Sequence, residues 1–116
     1  MQQPDAPTVR RARQQPLARP RGVPARAPLH PGRFLQKHYL APLGMNQTET
    51  AGLLGISRRR LNEILQGKRS MTPDTAIRCA LAFRADVAFW LALQTAWDSF
   101  HAWQRLRAAA SSSSSR

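Results

Sequence analysis

Acidic residues are scarce in this sequence. Six Asp and Glu stand against 18 Lys and Arg, a formal net charge of +12. Charge of that size bears on solubility and partners rather than on fold. It points to polyanions, nucleic acid first and an anionic membrane surface second. Cysteine is nearly absent: the single Cys79 excludes a disulfide within the chain and fits a reducing compartment. No run of about 18 apolar residues exists, so no segment reads as a membrane span. The N-terminus lacks the apolar core of a secretory signal. It is Arg-rich and acid-poor like a mitochondrial transit peptide, but six prolines in residues 1–28 oppose the amphipathic helix such a peptide needs. A cytoplasmic protein is expected. His30, His38 and His101 are scattered, and no pair has metal-ligand spacing with a third ligand in view. A glycine-rich phosphate loop and a nucleophile motif are also missing. Asp98 and His101, three apart on one helix face, read as a surface pair rather than a catalytic dyad. Neither catalysis, metal nor cofactor is expected.

What is present divides the chain in three. Residues 1–28 hold six Arg, six Pro and one Asp, with almost no large apolar side chain. Such a segment cannot bury enough surface to offset its ordering entropy, so a disordered basic arm is expected. The alternative is that translation starts further in. Residues 29–110 read as one globular domain, and residues 111–116 as a low-complexity serine tail. The domain reads as all-α, with five helices. Pro31-Gly32 opens the first, which Pro42 and Gly44 end. The second starts near Asn46 or Gln47 and stops at Gly55. Ser57 caps the third, which runs to about Gln66 before Gly67. Thr72 and Pro73 open the fourth as N-cap and first residue. Its apolar stripe reads as Ala76, Ile77, Ala80, Leu81 and Phe83. Cys79 reads as a small packing residue there rather than a reactive thiol. Asp86 caps the long fifth helix. Trp90, Trp97, Phe100 and Trp103 are more aromatic surface than the end of such a helix can easily hide in one chain. They are expected to form a homodimer seam or a partner surface.

Residues 47–66, QTETAGLLGISRRRLNEILQ, form the informative unit. Small Ala51 lets two helices cross closely. Gly55 can take the left-handed conformation of a tight turn. Leu54, Ile56, Leu61 and Ile64 face inward. This is the pattern of a helix-turn-helix, whose second helix enters the DNA major groove by its N-terminal residues. Those residues are Ser57, Arg58, Arg59 and Arg60, with Asn62 one turn on. Arg can pair in bidentate fashion with guanine and Asn with adenine. Ser57 and the helix N-terminus offer donors to phosphate. Gln47 is placed to hold the backbone, and Lys68 and Arg69 to meet phosphate. Successive helical residues differ by about 100°, so the three arginines cannot all face DNA. Arg58 and Arg59 are favoured, with Arg60 next. Glu63 is expected in a surface salt bridge, with orientation of an arginine or a capping role as alternatives.

From His30 to Asp98 the sequence resembles the HigA family of antitoxins, within the Xre/Cro group of helix-turn-helix proteins. The blocks that carry the likeness are HPGRFLQKHYLAPLGMNQTETAGLLGIS, LNEILQGKRSMTPDTAIRCALAF and FWLALQTAWD. The resemblance implies a five-helix, lambda-repressor-like domain. It implies a homodimer on a palindromic operator in its own promoter. The implied partner is a HigB-type toxin, a small ribosome-dependent mRNA endonuclease that the antitoxin neutralises. It also implies DNA contact by Gln47, Ser57, Arg58, Arg59 and Asn62, and phosphate contact by Lys68 and Arg69. Arg33 stands where family members often carry Glu, Thr50 where the motif is usually apolar, and Arg84 where a Gly commonly ends the fourth helix. Such toxins tend to be basic, as this chain is, so toxin contact is expected on an apolar or acidic patch near Asp86, Asp98 and the aromatic helix. A repressor without a toxin, and an interaction module that no longer reads DNA, are the competing readings. The arm is expected to reach a minor groove or phosphates, or to be idle.

Overall fold

The computed structural model describes residues 17–114. The expectation of a disordered arm falls, for residues 1–16, outside the described residues. Among the described residues all regular structure is helical. Helix α1 spans residues 31–43 and joins Pro31–Leu35, a π-helical turn Gln36–Leu40 and Ala41–Leu43. Helices α2 (Gln47–Leu54), α3 (Arg58–Leu65), α4 (Pro73–Phe83) and α5 (Val87–Ser114) follow.

Each start has a side-chain cap. His30 Nδ1 accepts from the Gly32 amide at 2.9 Å and opens α1. Asn46 and Glu49 form a reciprocal capping box on α2. Ser57 Oγ accepts from the Arg60 amide at 3.0 Å, as expected for α3. Thr72 caps α4 ahead of Pro73, and Asp86 Oδ1 accepts from the Ala88 amide at 3.0 Å ahead of α5.

The ends are equally regular. At Gly44, Gly55 and Gly67 the chain turns left-handed, and two backbone amides close back on the preceding turn. Each is a Schellman motif. The fourth such end is Arg84, at φ 61°, the one non-glycine with positive φ among the described residues. Its amide reaches the Ala80 carbonyl at 2.7 Å. Pro42 does not end α1 as expected; the helix runs one residue past it. Proline lacks a donor and its ring crowds the carbonyl four residues back. The π turn just before it, where the Ala41 amide bonds to Gln36, widens the helix there.

The core gathers Leu35, Leu40, Ala51, Leu54, Leu61, Ile64, Leu65, Met71, Ala76, Cys79 and Trp90. Helix α1 meets α3 at Gly32, where a Cβ would overlap the Ile64 carbonyl oxygen. Thr50, at a usually apolar position, is fully buried and turns its hydroxyl onto the Asn46 carbonyl at 2.8 Å. The stripe expected on α4 needs correction. Ala76 and Cys79 are buried, but Ile77 and Leu81 are 48% and 79% exposed. Helix α4 is rotated so that Asp74 and Arg78 reach α3 and the turn after α2.

Helix α5 continues past residue 110 into the serines expected as tail. Its 28 residues span roughly 42 Å. Residues 17–28 hold no helix or strand, as expected of an arm. They nevertheless lie against α5: Leu17, Arg19, Pro24 and Ala25 share a groove with Phe100, Trp103, Gln104 and Arg107. This corrects the aromatic surface expected on α5. Trp90 is completely buried and Trp103 is 8% exposed, both within one chain. Trp97 and Phe100 are half-buried, and Trp97 packs edge-on to His30 at 5.0 Å. Phe34, Tyr39 and Phe89 pack on Trp90, and the arm lies against Trp103.

Candidate nucleic-acid interface

The Schellman turn at Gly55 and the Ser57 cap set α3 at an angle to α2, with its first turn at the surface. Arg58 is exposed, and its side chain makes no hydrogen bond or ion pair among the described residues. The Arg59 side chain is 89% exposed and touches Glu63 at 3.4 Å. Arg60 is different, and its expected place on the DNA face is corrected. Its guanidinium turns inward, donating to Asp74 Oδ2 at 2.8 Å and to the buried Thr75 hydroxyl at 2.6 Å. One helical step of about 100° carries it from the groove side to the α4 side. It ties α3 to α4.

Asn62, expected to read a base, and Gln47, expected to hold the backbone, are brought together. Asn62 Nδ2 donates to Gln47 Oε1 at 3.2 Å, across 15 residues of sequence. Gln66, which the sequence did not single out, donates to Asn62 Oδ1 at 3.0 Å. The three amides form a row from α2 along α3. Lys68 is exposed, and its side chain has no partner among the described residues. Arg69 grips Glu63 Oε1 with Nη2 at 2.7 Å and Nε at 3.0 Å. Glu63 thus makes the surface salt bridge expected of it, with arginines on both sides. The Arg69 hydrogen bond chiefly holds its carboxyl below the usual range. Hydrogen bonds from Arg78 and then Arg60 do the same for Asp74.

Two supporting residues escaped sequence reading. Arg78 donates from Nη1 to the Leu54 and Gly55 carbonyls at 3.0 and 3.2 Å. With Arg60 and Asp74 it ties the turn to α4. Its spacing of four from Asp74 was the available signal. Gln94 is buried; its Oε1 accepts from the Met71 amide at 2.7 Å and its Nε2 donates to Asp98 at 2.9 Å. It fastens the loop bearing Lys68 and Arg69 to α5; the sequence placed it in the FWLALQTAWD block without giving it a role. Asp86 Oδ1 takes the Ala88 amide and Asp98 Oδ1 the Gln94 side chain, and both residues are exposed. Burial pushes the Cys79 thiol up to about 12, as suits a packing residue. Among the described residues no group of three or more His, Cys, Asp or Glu could hold a metal, and no helix is long and apolar enough to cross a membrane.

A capped helix with a basic exposed N-terminus, set by a tight turn on a preceding helix, defines a helix-turn-helix protein. The helix-turn-helix family model matches residues 37–90. Virulence-associated protein I of Dichelobacter nodosus is 41% identical over 70 residues, 60% of this chain and 65% of that protein. The chain thus spans just under two thirds of that relative. An addiction module antidote protein of the HigA family from Coxiella burnetii is 38% identical, covering 69% of this chain and 87% of that one, with a TM-score of 0.65. The Pseudomonas aeruginosa antitoxin HigA, solved with the higBA promoter, is 28% identical over 67% of this chain and 85% of that one, with a TM-score of 0.65. This chain belongs to the HigA family of Xre-type helix-turn-helix proteins, a family of regulators and not of enzymes.

Proposed function

We propose that this protein is the DNA-binding antitoxin of a type II toxin–antitoxin module. In this reading it neutralises a HigB-type mRNA endonuclease and represses its own operon as a cytoplasmic homodimer on a palindromic operator. The observation that carries the DNA half is the first turn of α3. Arg58 stands exposed without a partner, Arg59 is nearly free, and the Asn62–Gln47 pair lies one turn on. The arginines can read guanine and Asn62 adenine in a major groove, while Gln47 holds the backbone. Ser57 and Lys68 supply phosphate contacts; Arg69 joins them while held by Glu63. That the Pseudomonas aeruginosa antitoxin HigA was solved with the higBA promoter supports DNA as the partner.

Fluorescence anisotropy tests this reading, with the purified chain titrated against its own promoter fragment and a scrambled duplex at two salt concentrations. Promoter affinity several hundred-fold above control is the expected result. Equal affinities that fall steeply with salt would mean that the net charge merely binds any duplex. Co-purification with the product of a small neighbouring reading frame tests the toxin half, and its failure favours a repressor without a toxin.

A further inference from the structure

The second concentration of unpaired charge lies far from α3 in sequence. Arg19, Arg21 and Arg26 of the arm and Arg105 and Arg107 of α5 are all exposed. None pairs with a carboxylate among the described residues. Arg19 bonds instead to the Val23 carbonyl at 2.6 Å, and Arg107 to Gln104 Oε1 at 2.8 Å. These two arginines line one groove of about 180 Å³, over Phe100 and Trp103. Among the described residues each acid already has a partner elsewhere. Glu49 is in a capping box, Glu63 and Asp74 each hold two arginines, Asp86 caps α5 and Asp98 takes Gln94. Docking an arginine-rich segment on an arginine-bearing helix end brings like charges together at a cost in stability. An external anion relieves it.

The position says which anion. His30 lies against Gly67: a Cβ there would come within 3.5 Å of His30 Cγ. The other face of His30 meets Trp97. From Trp97 to Arg107 is ten residues of helix, about 15 Å. The groove therefore lies about 15 Å along α5 from that contact, roughly the length of four base pairs of duplex. We propose that this groove is a second phosphodiester-binding site, which grips the DNA backbone outside the base pairs read by α3. The proposal rests on the DNA-binding reading above. It assigns the arm a docked, phosphate-binding role, with Trp103 and Phe100 as its floor and guanidinium groups as its rim.

The test uses the full chain, the Arg19→Ala/Arg107→Ala double variant and two duplexes. One duplex just covers the promoter operator; the other extends it by about one helical turn on each side. On the long duplex the double variant should lose about tenfold in affinity, with a salt slope shallower by about 1.8 per subunit. On the short duplex it should match the parent. Indistinguishable behaviour on the long duplex overturns the proposal. So does a slope lowered equally on both, which places the arginines on the operator itself. Near-ultraviolet circular dichroism of the tryptophans checks that the variant keeps its fold. Arg58→Ala separates this proposal from the functional reading: it should lose promoter preference yet keep the gain from the added flanks.

Discussion

Arg58, Arg59 and Arg60 share one chemistry and adjacent positions, and the helix gives them different tasks. Arg58→Ala or Arg59→Ala should weaken promoter binding by about 1–3 kcal/mol and relax base preference, read by anisotropy against single-base operator variants. A loss equal on all sequences would reduce both to phosphate contacts. Arg60→Ala should instead lower folding stability by about 1–2 kcal/mol in urea denaturation, because it strips the buried Thr75 hydroxyl of its guanidinium donor. Base preference should survive. Arg84 offers the opposite case. It holds φ 61° with an ordinary side chain. Arg84→Gly should raise stability by about 1 kcal/mol, seen as a higher Tm in calorimetry, since glycine takes this conformation without steric cost.

Among the elements, the contact of α1 with α3 is the least forgiving. Gly32 lets the α1 backbone meet the Ile64 carbonyl directly, and a methyl there meets backbone rather than a movable side chain. Gly32→Ala should cost about 1–3 kcal/mol, visible as a lower urea midpoint. That contact also seats His30, whose neutral Nδ1 caps α1. Burial chiefly lowers the His30 pKa from 6.5, with Asp98 opposing and Arg33 reinforcing. Below pH 6.5 the unfolded chain takes up a proton that the folded chain does not. The contribution is therefore complete above that pH and is lost as the pH falls below it. Glu63 and Asp74, held low by arginines, add losses of the same sign at more acid pH. His30→Asn retains a cap acceptor and should flatten the slope of urea stability between about pH 6.5 and 5. A slope unchanged in the variant would remove His30 from this account.

At the scale of the whole molecule, charge is arranged rather than merely abundant. All five described carboxylates serve caps, hydrogen bonds or bridges, which leaves unpaired cations at the start of α3, at Lys68 and along the arm groove, with Arg33, Lys37 and Arg84 standing singly elsewhere. Lys68→Ala should weaken binding to promoter and scrambled duplex alike, and lower the salt slope by about one per contact, measured by titration across salt concentrations. An unchanged slope would take Lys68 off the phosphate backbone. The tryptophans follow the same logic of self-sufficiency. Trp90 and Trp103 are covered from within, so a dimer must use other side chains than those two.

Local chemistry determined the helices. Asn46, Ser57, Thr72 and Asp86 cap, and Gly44, Gly55 and Gly67 end, through hydrogen bonds that reach only a few residues along the chain. Such bonds can be read from spacing, and so could the helix-turn-helix with Gln47, Ser57, Arg58, Arg59 and Asn62 on it. What spacing cannot give is the rotation of a helix about its axis against distant partners. Arg60 turned to Asp74 and Thr75, Ile77 and Leu81 turned to solvent, and Gln94 came under Met71, all through contacts 14 or more residues apart or through packing alone. The arm over Trp103 belongs with these. Its composition argued against a core of its own, and only the tertiary structure supplied α5 as the surface it lies on.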